Sequence, residues 1–203
     1  MNAWIQPTLA VDIAMLLPPD VQARALALSA ALPREEFQGL RLDEQHLPHI
    51  TLMQLFVRTA EIEQAAARVD EVVRGHARMT LQVTGGGRGT HAVWMAVARA
   101  PALVSLHEQL MDTLRGLERP DGGPSAFADP DARLRDVLWV SGYRLSSSFH
   151  HFTPHITLGH AAAAPTLEPF AFEADTVAMC HLGRFCTCRR VLRRWTLSAS
   201  GLP

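Results

Sequence analysis

One pentapeptide occurs twice in this chain of 203 residues, and it limits the possible folds more than any other feature. Residues 48–52 and 154–158 both read Pro-His-Ile-Thr-Leu, and the second copy begins 106 residues after the first. That offset is about half of the chain, so two halves of related structure are expected. The apolar and β-branched residues in and around the copies predict that both lie on strands.

The alternation of side chains along a strand decides what each copy presents. His49 and Thr51 point to one side of their strand, as do His155 and Thr157, while the Ile and Leu of each motif point to the other. Two such strands around one cleft would suit acid–base chemistry on a phosphate. One imidazole would accept a proton, the other would donate one, and the hydroxyls would hydrogen-bond the phosphoryl oxygens. Either histidine could take either role.

These motifs resemble those of the two-histidine (2H) phosphoesterase superfamily, in particular its 2'-5' RNA ligase-like and 2',3'-cyclic phosphodiesterase branch. The hallmark of that family is a His-x-Thr/Ser-apolar motif in each half of the chain, and both copies match it. Residues 9–19 resemble the family's first strand and the Pro-Pro that leads into its first helix. Residues 177–197 resemble its final strands, whereas residues 119–152 do not line up.

The resemblance implies an α+β fold in which residues 1–203 form a single bilobal domain. Two pseudo-symmetric lobes, each an antiparallel sheet with outer helices, would enclose a central cleft lined by both motifs. The implied catalytic residues are His49, Thr51, His155 and Thr157, with no cofactor and no metal. We expect a monomer whose partner is an RNA end or nucleotide carrying a cyclic phosphate, without membrane or protein partners.

The implied activity is a metal-independent phosphodiesterase that opens 2',3'-cyclic phosphates of RNA ends or nucleotides. One histidine would activate water, the other would protonate the departing ribose oxygen, and the two threonines would hold the non-bridging oxygens. The same chemistry run backwards would be 2'-5' RNA ligation. Two alternatives stay open: a non-catalytic RNA-end or nucleotide binding module on the same fold, and a metal hydrolase that uses several of the ten histidines.

Composition excludes several other classes of protein. A formal net charge of −1 argues against broad non-specific nucleic-acid binding, although arginines at 184–194 make the C-terminal stretch locally basic. All 19 basic residues are Arg, so Schiff-base enzymes, lysyl-nucleotide ligases and Walker A loops are excluded. The N-terminal stretch has no basic region, and Asp12 interrupts its apolar run, which argues against a signal peptide or membrane span.

The three cysteines, at 180, 186 and 188, favour buried thiols over a disulfide framework and indicate a reducing, cytoplasmic compartment. Cys180-His181 with Cys186-x-Cys188 could also be read as a zinc site, but Cys-x-Cys on a strand lacks the usual knuckle spacing.

Periodicity and turn residues predict the remaining elements. Strands are expected at 9–15, 49–57, 79–83, 91–98, 171–177, 181–188 and 191–197, and helices at 19–32, 59–74 and 101–117. Thr59 is the expected N-cap and Gly75 the C-terminal residue of the second helix. A flexible glycine hairpin is expected at 84–90, a linker at 119–130, and a short helix followed by a turn or short strand at 131–145.

Other histidines and aromatic residues receive secondary roles. His107 is expected on the exposed side of its helix. His150 and His151 are either surface loop residues or contacts for phosphate or base, and His46 and His160 are expected to be spectators. Four aromatic residues could stack a base or lie in the core: Trp139, Tyr143, Phe149 and Phe152.

Overall fold

The computed structural model describes residues 6–33, 39–43 and 45–199, and all strands within them form one antiparallel sheet. Its order is β6-β3-β4-β5-β2-β1-β7-β8. The eight strands are β1 (Thr8–Leu16), β2 (His49–Arg58), β3 (Met79–Arg88), β4 (Ala92–Val97), β5 (His155–His160), β6 (Phe170–Ala174), β7 (Thr176–Leu182) and β8 (Cys188–Thr196).

The sheet consists of two four-stranded halves, β2-β1-β7-β8 and β5-β4-β3-β6, which meet at β2 and β5. Only Ile50 and Ile156 pair across that junction, and each is the central residue of its motif. The expected α+β fold is confirmed, and the two expected lobes are the halves of one continuous sheet. The motif strands are therefore neighbours at the centre of the molecule.

Four helices cover the two faces of the sheet: α1 (Pro19–Ala31), α2 (Ile62–Arg74), α3 (Pro101–Leu114) and α4 (Leu134–Ser146). The first three bury apolar stripes, such as Val69 and Leu106, in the main core with Ile13 and Leu52. On the opposite face, α4 packs Val137 and Val140 in a second cluster with strand residues of β1 and β2. Within the described residues, no helix is both long and apolar enough to cross a membrane.

The first two helices differ from expectation only at their ends. Pro at the first turn begins α1, as expected. Thr59 does not cap α2, which begins at Ile62 after a short 3-10 turn; the Thr59 hydroxyl instead donates to the Pro7 carbonyl at 3.1 Å. Gly75 ends the helix with a φ of −79°, so the glycine-specific left-handed conformation is not used there.

The glycine run at 84–90 was predicted as a flexible hairpin. The two strands do form a hairpin, but its turn is confined to residues 89–91, and residues 84–88 belong to a strand. Strand β3 continues through it to Arg88 and pairs with β4. The register skips Thr84, and Gly85 adopts a φ of 150° beside this bulge. A Cβ on Gly86 would lie 1.9 Å from the Pro165 carbonyl oxygen, so the glycine permits close backbone packing rather than flexibility.

Two further segments are more ordered than predicted. The expected linker at 119–130 contains a 3-10 turn at Pro124–Ala126, and Phe127 packs edge-on against Phe56 at 5.8 Å between ring centroids. The ambiguous stretch at 131–145 forms the 13-residue helix α4. Residues 34–38 and 44 fall outside the described residues, so the segment between α1 and β2 is only partly described.

The C-terminal segments are confirmed as strands, but two of their boundaries were wrong. The expected strand at 171–177 covers most of β6, a break at Asp175 and the start of β7. The expected strand at 181–188 is the end of β7, a 3-10 turn at Arg184–Cys186 and the start of β8. Phe185 and Cys186 adopt φ values of 63° and 54°, which reverse the chain within this stretch.

Candidate active site

Both repeated motifs carry a β-bulge at their leucine. In β2, partners on β1 exist for Thr51 and Met53 but not for Leu52. In β5, the partners on β4 skip Leu158 in the same way. A bulge shifts the alternation of side chains by one residue. In β2, therefore, Thr51 shares its face with Gln54 rather than with Met53, and both Thr51 and Gln54 line the cleft.

His107 of α3 holds the first bulge in place. Its Nδ1–H donates to the Leu52 carbonyl at 2.6 Å, its Nε2 accepts the Phe149 N–H at 2.9 Å, and its ring stacks on Phe152. Burial lowers the pKa of His107, in keeping with a neutral ring that donates at one nitrogen and accepts at the other. The prediction of an exposed His107 was wrong, because the side chain serves two buried backbone groups.

The four residues expected from the repeat lie together. Because Ile50 pairs with Ile156 in antiparallel register, His49 lies beside Thr157 and Thr51 beside His155, all on the face opposite to the isoleucines. All four line one cleft of about 720 Å³.

His49 is held between a carbonyl and a carboxylate. Its Nδ1 lies 2.7 Å from the Leu47 carbonyl, and its Nε2 lies 3.5 Å from Oδ2 of Asp12. Burial by itself would lower the pKa of His49, but the hydrogen bond and charge of Asp12, together with the Leu47 carbonyl, raise it to about 9. The imidazolium is therefore the favoured form of His49 at neutral pH.

Asp12 is the functional residue that the sequence analysis missed. It lies on β1, fully buried, and its Oδ2 also accepts the Thr51 hydroxyl at 2.8 Å and the Gln54 amide at 2.7 Å. Its Oδ1 is buried without a hydrogen-bond partner among the described residues. The available signal was a lone acid between Ala10 and Ala14 on an otherwise apolar strand, since a buried charge needs a partner.

His155 has no such acid. Its Nδ1 lies 2.8 Å from the Thr153 carbonyl, and its ring lies 5.2 Å from that of Trp94. Burial lowers the pKa of His155, the Thr153 carbonyl opposes this, and the charge of His49 lowers it further. The registers explain the difference, because the position on β4 that corresponds to Asp12 is occupied by Ala92. The neutral imidazole is thus the favoured form of His155.

The two motif threonines also differ. The Thr51 hydroxyl donates its proton to Asp12, so that proton is committed. The Thr157 hydroxyl faces the cleft and has no hydrogen-bond partner within the described parts of the chain. The two motifs are identical in sequence, yet only the Thr157 hydroxyl is available to donate a hydrogen bond to a ligand in the cleft.

The cleft walls combine aromatic and cationic groups. Trp139 lines the cleft and is half exposed, whereas Tyr143 and Phe152 are buried and Phe149 packs against the core. Trp94, which the sequence analysis did not single out, also lines the cleft.

Cations lie on the same walls. The guanidinium of Arg133 stacks over the ring of Phe185 at 3.9 Å and pairs with Asp136, and Arg135 lies nearby. An anionic ligand with a flat ring fits such walls.

The four other histidines that the sequence analysis singled out beside the motifs lie either at the cleft or outside it. His151 and His160 line the cleft, so His160 is closer to the site than its expected spectator role suggested. His46 pairs with the exposed Asp43 at 2.6 Å outside it, and His150 stacks on His151.

One group of three among the described residues could hold a metal ion: Asp12, His49 and Cys188. Burial, the neighbouring Cys180 thiol and the Asp12 charge all raise the pKa of the Cys188 thiol, so it is protonated without a metal. The Cys180-His181 and Cys186-x-Cys188 zinc reading is not supported. His181 hydrogen-bonds the Ala126 carbonyl and the Cys186 thiol donates to the Asp136 carbonyl.

Two His-x-Thr strands that adjoin at the centre of a two-halved antiparallel sheet form the fold that the resemblance to 2H phosphoesterases implied. The profile of the 2'-5' RNA ligase superfamily matches residues 17–178, and the chain belongs to that superfamily. No match was found among curated protein sequences.

Solved structures share the fold. TT0787 of Thermus thermophilus superposes with a TM-score of 0.63 at 21% identity, covering 93% of this chain and 98% of that one. E. coli LigT in its apo form gives 0.61 at 21% identity, with 94% and 98% covered. E. coli LigT complexed with 3'-AMP gives 0.61 at 20% identity, with the same coverage.

Proposed function

We propose that this protein is a metal-independent phosphodiesterase that opens 2',3'-cyclic phosphates of RNA ends or nucleotides. The observation that carries the proposal is the antiparallel register of β2 and β5, which brings two His-x-Thr motifs around one cleft. Pure binding of a phosphate needs cations or N–H donors, whereas a pair of imidazoles in opposite protonation states suits proton transfer.

The surroundings of the two histidines support one assignment of roles. His155 is the general base: it takes a proton from water as the water oxygen attacks phosphorus. His49, held as an imidazolium by Asp12, is the general acid: it gives its proton to the ribose oxygen as the P–O bond breaks. After one turnover His155 carries the proton and His49 lacks one, and exchange with solvent restores both.

The two threonines take different parts in this scheme. The Thr157 hydroxyl donates to a non-bridging phosphoryl oxygen, where negative charge grows in the transition state. The Thr51 hydroxyl donates to the Asp12 carboxylate and keeps it beside His49, so Thr51 acts indirectly, by positioning Asp12 against the general acid. If an RNA 5'-hydroxyl takes the place of water, its oxygen bonds to phosphorus while the bond from phosphorus to the ribose 3'-oxygen breaks. His155 takes the proton of the 5'-hydroxyl, His49 protonates the 3'-oxygen, and the product carries a 2'-5' linkage.

Nucleotide-sized ligands suit the cleft. E. coli LigT has been solved with 3'-AMP, with ATP and with NADP+, and its fold is shared by this chain. In this protein Trp94 and Trp139 supply ring faces for a base, and Arg133 and Arg135 supply positive charge.

The test is hydrolysis of 2',3'-cyclic nucleotides and of an RNA with a cyclic-phosphate end, in EDTA, by wild type, His49→Ala and His155→Ala. Each variant should lose ~10²–10⁴-fold in rate, as expected for the loss of a general acid or base. His46→Ala is the matched control, because His46 lies outside the cleft, and should keep the wild-type rate.

The outcome separates the proposal from the binding-module alternative. Folded wild type that binds the cyclic phosphates without turning them over would refute the enzyme and favour the binding module. Activity that disappears in EDTA and returns with a metal ion would refute the metal-independent mechanism.

A further inference from the structure

Three side chains with different donor atoms converge beneath the cleft, from β1, β2 and β8. A carboxylate oxygen of Asp12, an imidazole nitrogen of His49 and the sulfur of Cys188 all lie within 4.8 Å of one another. We propose that these three residues bind a thiophilic divalent cation, with Zn²⁺ as the representative, and that the bound cation inhibits the acid–base reaction. Only the inhibition rests on the proposed function; the binding does not.

The geometry needs little rearrangement. Three atoms that lie no more than 4.8 Å apart always have a common point within about 2.8 Å of each. Zinc bonds are about 2.0–2.3 Å long to oxygen, nitrogen and sulfur, so each donor has to move by less than about 1 Å. The Asp12 oxygen and the His49 nitrogen, 3.5 Å apart, already have a separation that two ligands of one ion can adopt.

The surroundings of the three donors resemble those of built metal sites. The Nδ1 of His49 faces the Leu47 carbonyl at 2.7 Å, which fixes the ring and leaves Nε2 as the ligand atom. The carboxylate of Asp12 has spare acceptor capacity, because its buried Oδ1 has no hydrogen-bond partner among the described residues.

Charge balance also favours a divalent ion. Metal ligands bind in their deprotonated forms, so the ion would be held by the Asp12 carboxylate, the Cys188 thiolate and the neutral His49 ring. Two negative ligands neutralise two positive charges, which avoids the cost of an unpaired buried charge.

The donor set selects the kind of cation. One sulfur, one nitrogen and one oxygen suit zinc and its chemical relatives, whereas Mg²⁺ and Ca²⁺ require shells of oxygen ligands. Inhibition follows directly, because an ion on Nε2 of His49 replaces the proton that this residue gives to the leaving group.

Binding is tested without substrate, using Co²⁺ as a coloured substitute for zinc. Wild type should show a near-ultraviolet thiolate-to-cobalt charge-transfer band that Zn²⁺ abolishes, and Zn²⁺ should release two protons per site at a pH below the His49 pKa. Cys188→Ser should lose the band and at least about tenfold in Zn²⁺ affinity. Cys186→Ser, which removes a neighbouring thiol outside the three donors, should retain both.

Wild type without a thiolate band or proton release would overturn the site, and that result needs no variant. A folded Cys188→Ser with wild-type spectrum and affinity would also overturn it. For inhibition, each protein is compared with its own rate in EDTA: Zn²⁺ should slow wild type and Cys186→Ser but not Cys188→Ser. Activation by Zn²⁺ would contradict the inhibitory role. A protein inactive on every cyclic phosphate would sink the proposed function, while the spectra would still decide the cation site.

Discussion

Replacing Asp12 with Asn tests the central electrostatic contact of the site. Asn has nearly the same shape and can still accept the Thr51 hydroxyl, but it carries no charge. Wild-type activity should span a plateau between the lowered pKa of His155, the base that must be neutral, and the pKa of about 9 of His49, the acid that must be protonated. In Asp12→Asn the upper limit of that plateau should move to lower pH.

The size of the effect follows from the two pKa values of His49. The rise from 6.5 to about 9 corresponds to about 3 kcal/mol of interaction that favours the imidazolium. At pH 8 a group with pKa 9 is about 90% protonated and one with pKa 6.5 about 3%. A return of the His49 pKa to 6.5 would therefore cost roughly 30-fold in kcat/KM at pH 8. Because burial still lowers the His49 pKa in Asp12→Asn, the loss at pH 8 should be at least of this order and should shrink as the pH falls.

The assay is a pH profile of kcat/KM on a 2',3'-cyclic nucleotide, with NMR titration of the histidine ring protons as an independent reading of His49. Asp70→Asn makes the same chemical change at a surface ion pair with Arg74 on α2, and its profile should match wild type. A folded Asp12→Asn whose upper limit stays near that of wild type would refute the reasoning.

The same contact links stability to pH. The pKa of His49 is higher in the folded state, about 9, than its ordinary value of 6.5, so protonation of His49 stabilises the folded state. This contribution is fully present below pH 6.5 and is lost as the pH rises through about 9. Urea unfolding of wild type should weaken over that window, and Asp12→Asn should lack this slope. An equal slope in both proteins would show that His49 does not gain its proton from Asp12.

Four further substitutions and one control probe the site and its support. Thr157→Val should lower kcat by ~10²–10³-fold without moving the pH limits, since it removes a transition-state donor, whereas Thr51→Val should lower the upper pH limit; identical profiles would contradict their separate roles. His107→Leu should cost about 1–3 kcal/mol in urea unfolding, because the Phe149 N–H loses its partner and the Leu52 carbonyl keeps only the Tyr143 hydroxyl at 3.5 Å; a cost below about 1 kcal/mol would count against this role. Gly86→Ala should lower Tm through its clash with a backbone carbonyl, while Gly123→Ala, in open space, should not.

The sequence predicted that four residues of the repeat share one cleft, because the repeat describes both halves of the chain at once. His49, Thr51, His155 and Thr157 share the cleft as the strand alternation required, and that alternation is a local property of the backbone. The expected central position of the motifs came from the family resemblance, and the sheet order agrees with it.

The bulges at Leu52 and Leu158 could not be predicted, since an extra residue in a strand depends on the register with its partner. One consequence was that strict alternation beyond Thr51 would place Gln54 on the wrong face. A second was that His107 was assigned to solvent, because its partner is the carbonyl of Leu52, 55 residues away in sequence. The glycine run at 84–90 was misjudged for the same reason: close approach to Pro165 is a tertiary constraint.

The repeated motifs are identical in sequence, so the motifs themselves cannot decide which histidine is acid and which is base. The decision lies on the adjacent strands, where corresponding positions hold Asp12 in one half and Ala92 in the other. Asp12 raises the pKa of His49 and so favours its protonated form. The positive charge of His49 in turn lowers the pKa of His155 and favours its neutral form. A single carboxylate in one half therefore gives the two histidines opposite protonation preferences. Moving the carboxylate to the other half, with Asp12→Ala and Ala92→Asp together, should exchange the acid and base roles of the two histidines.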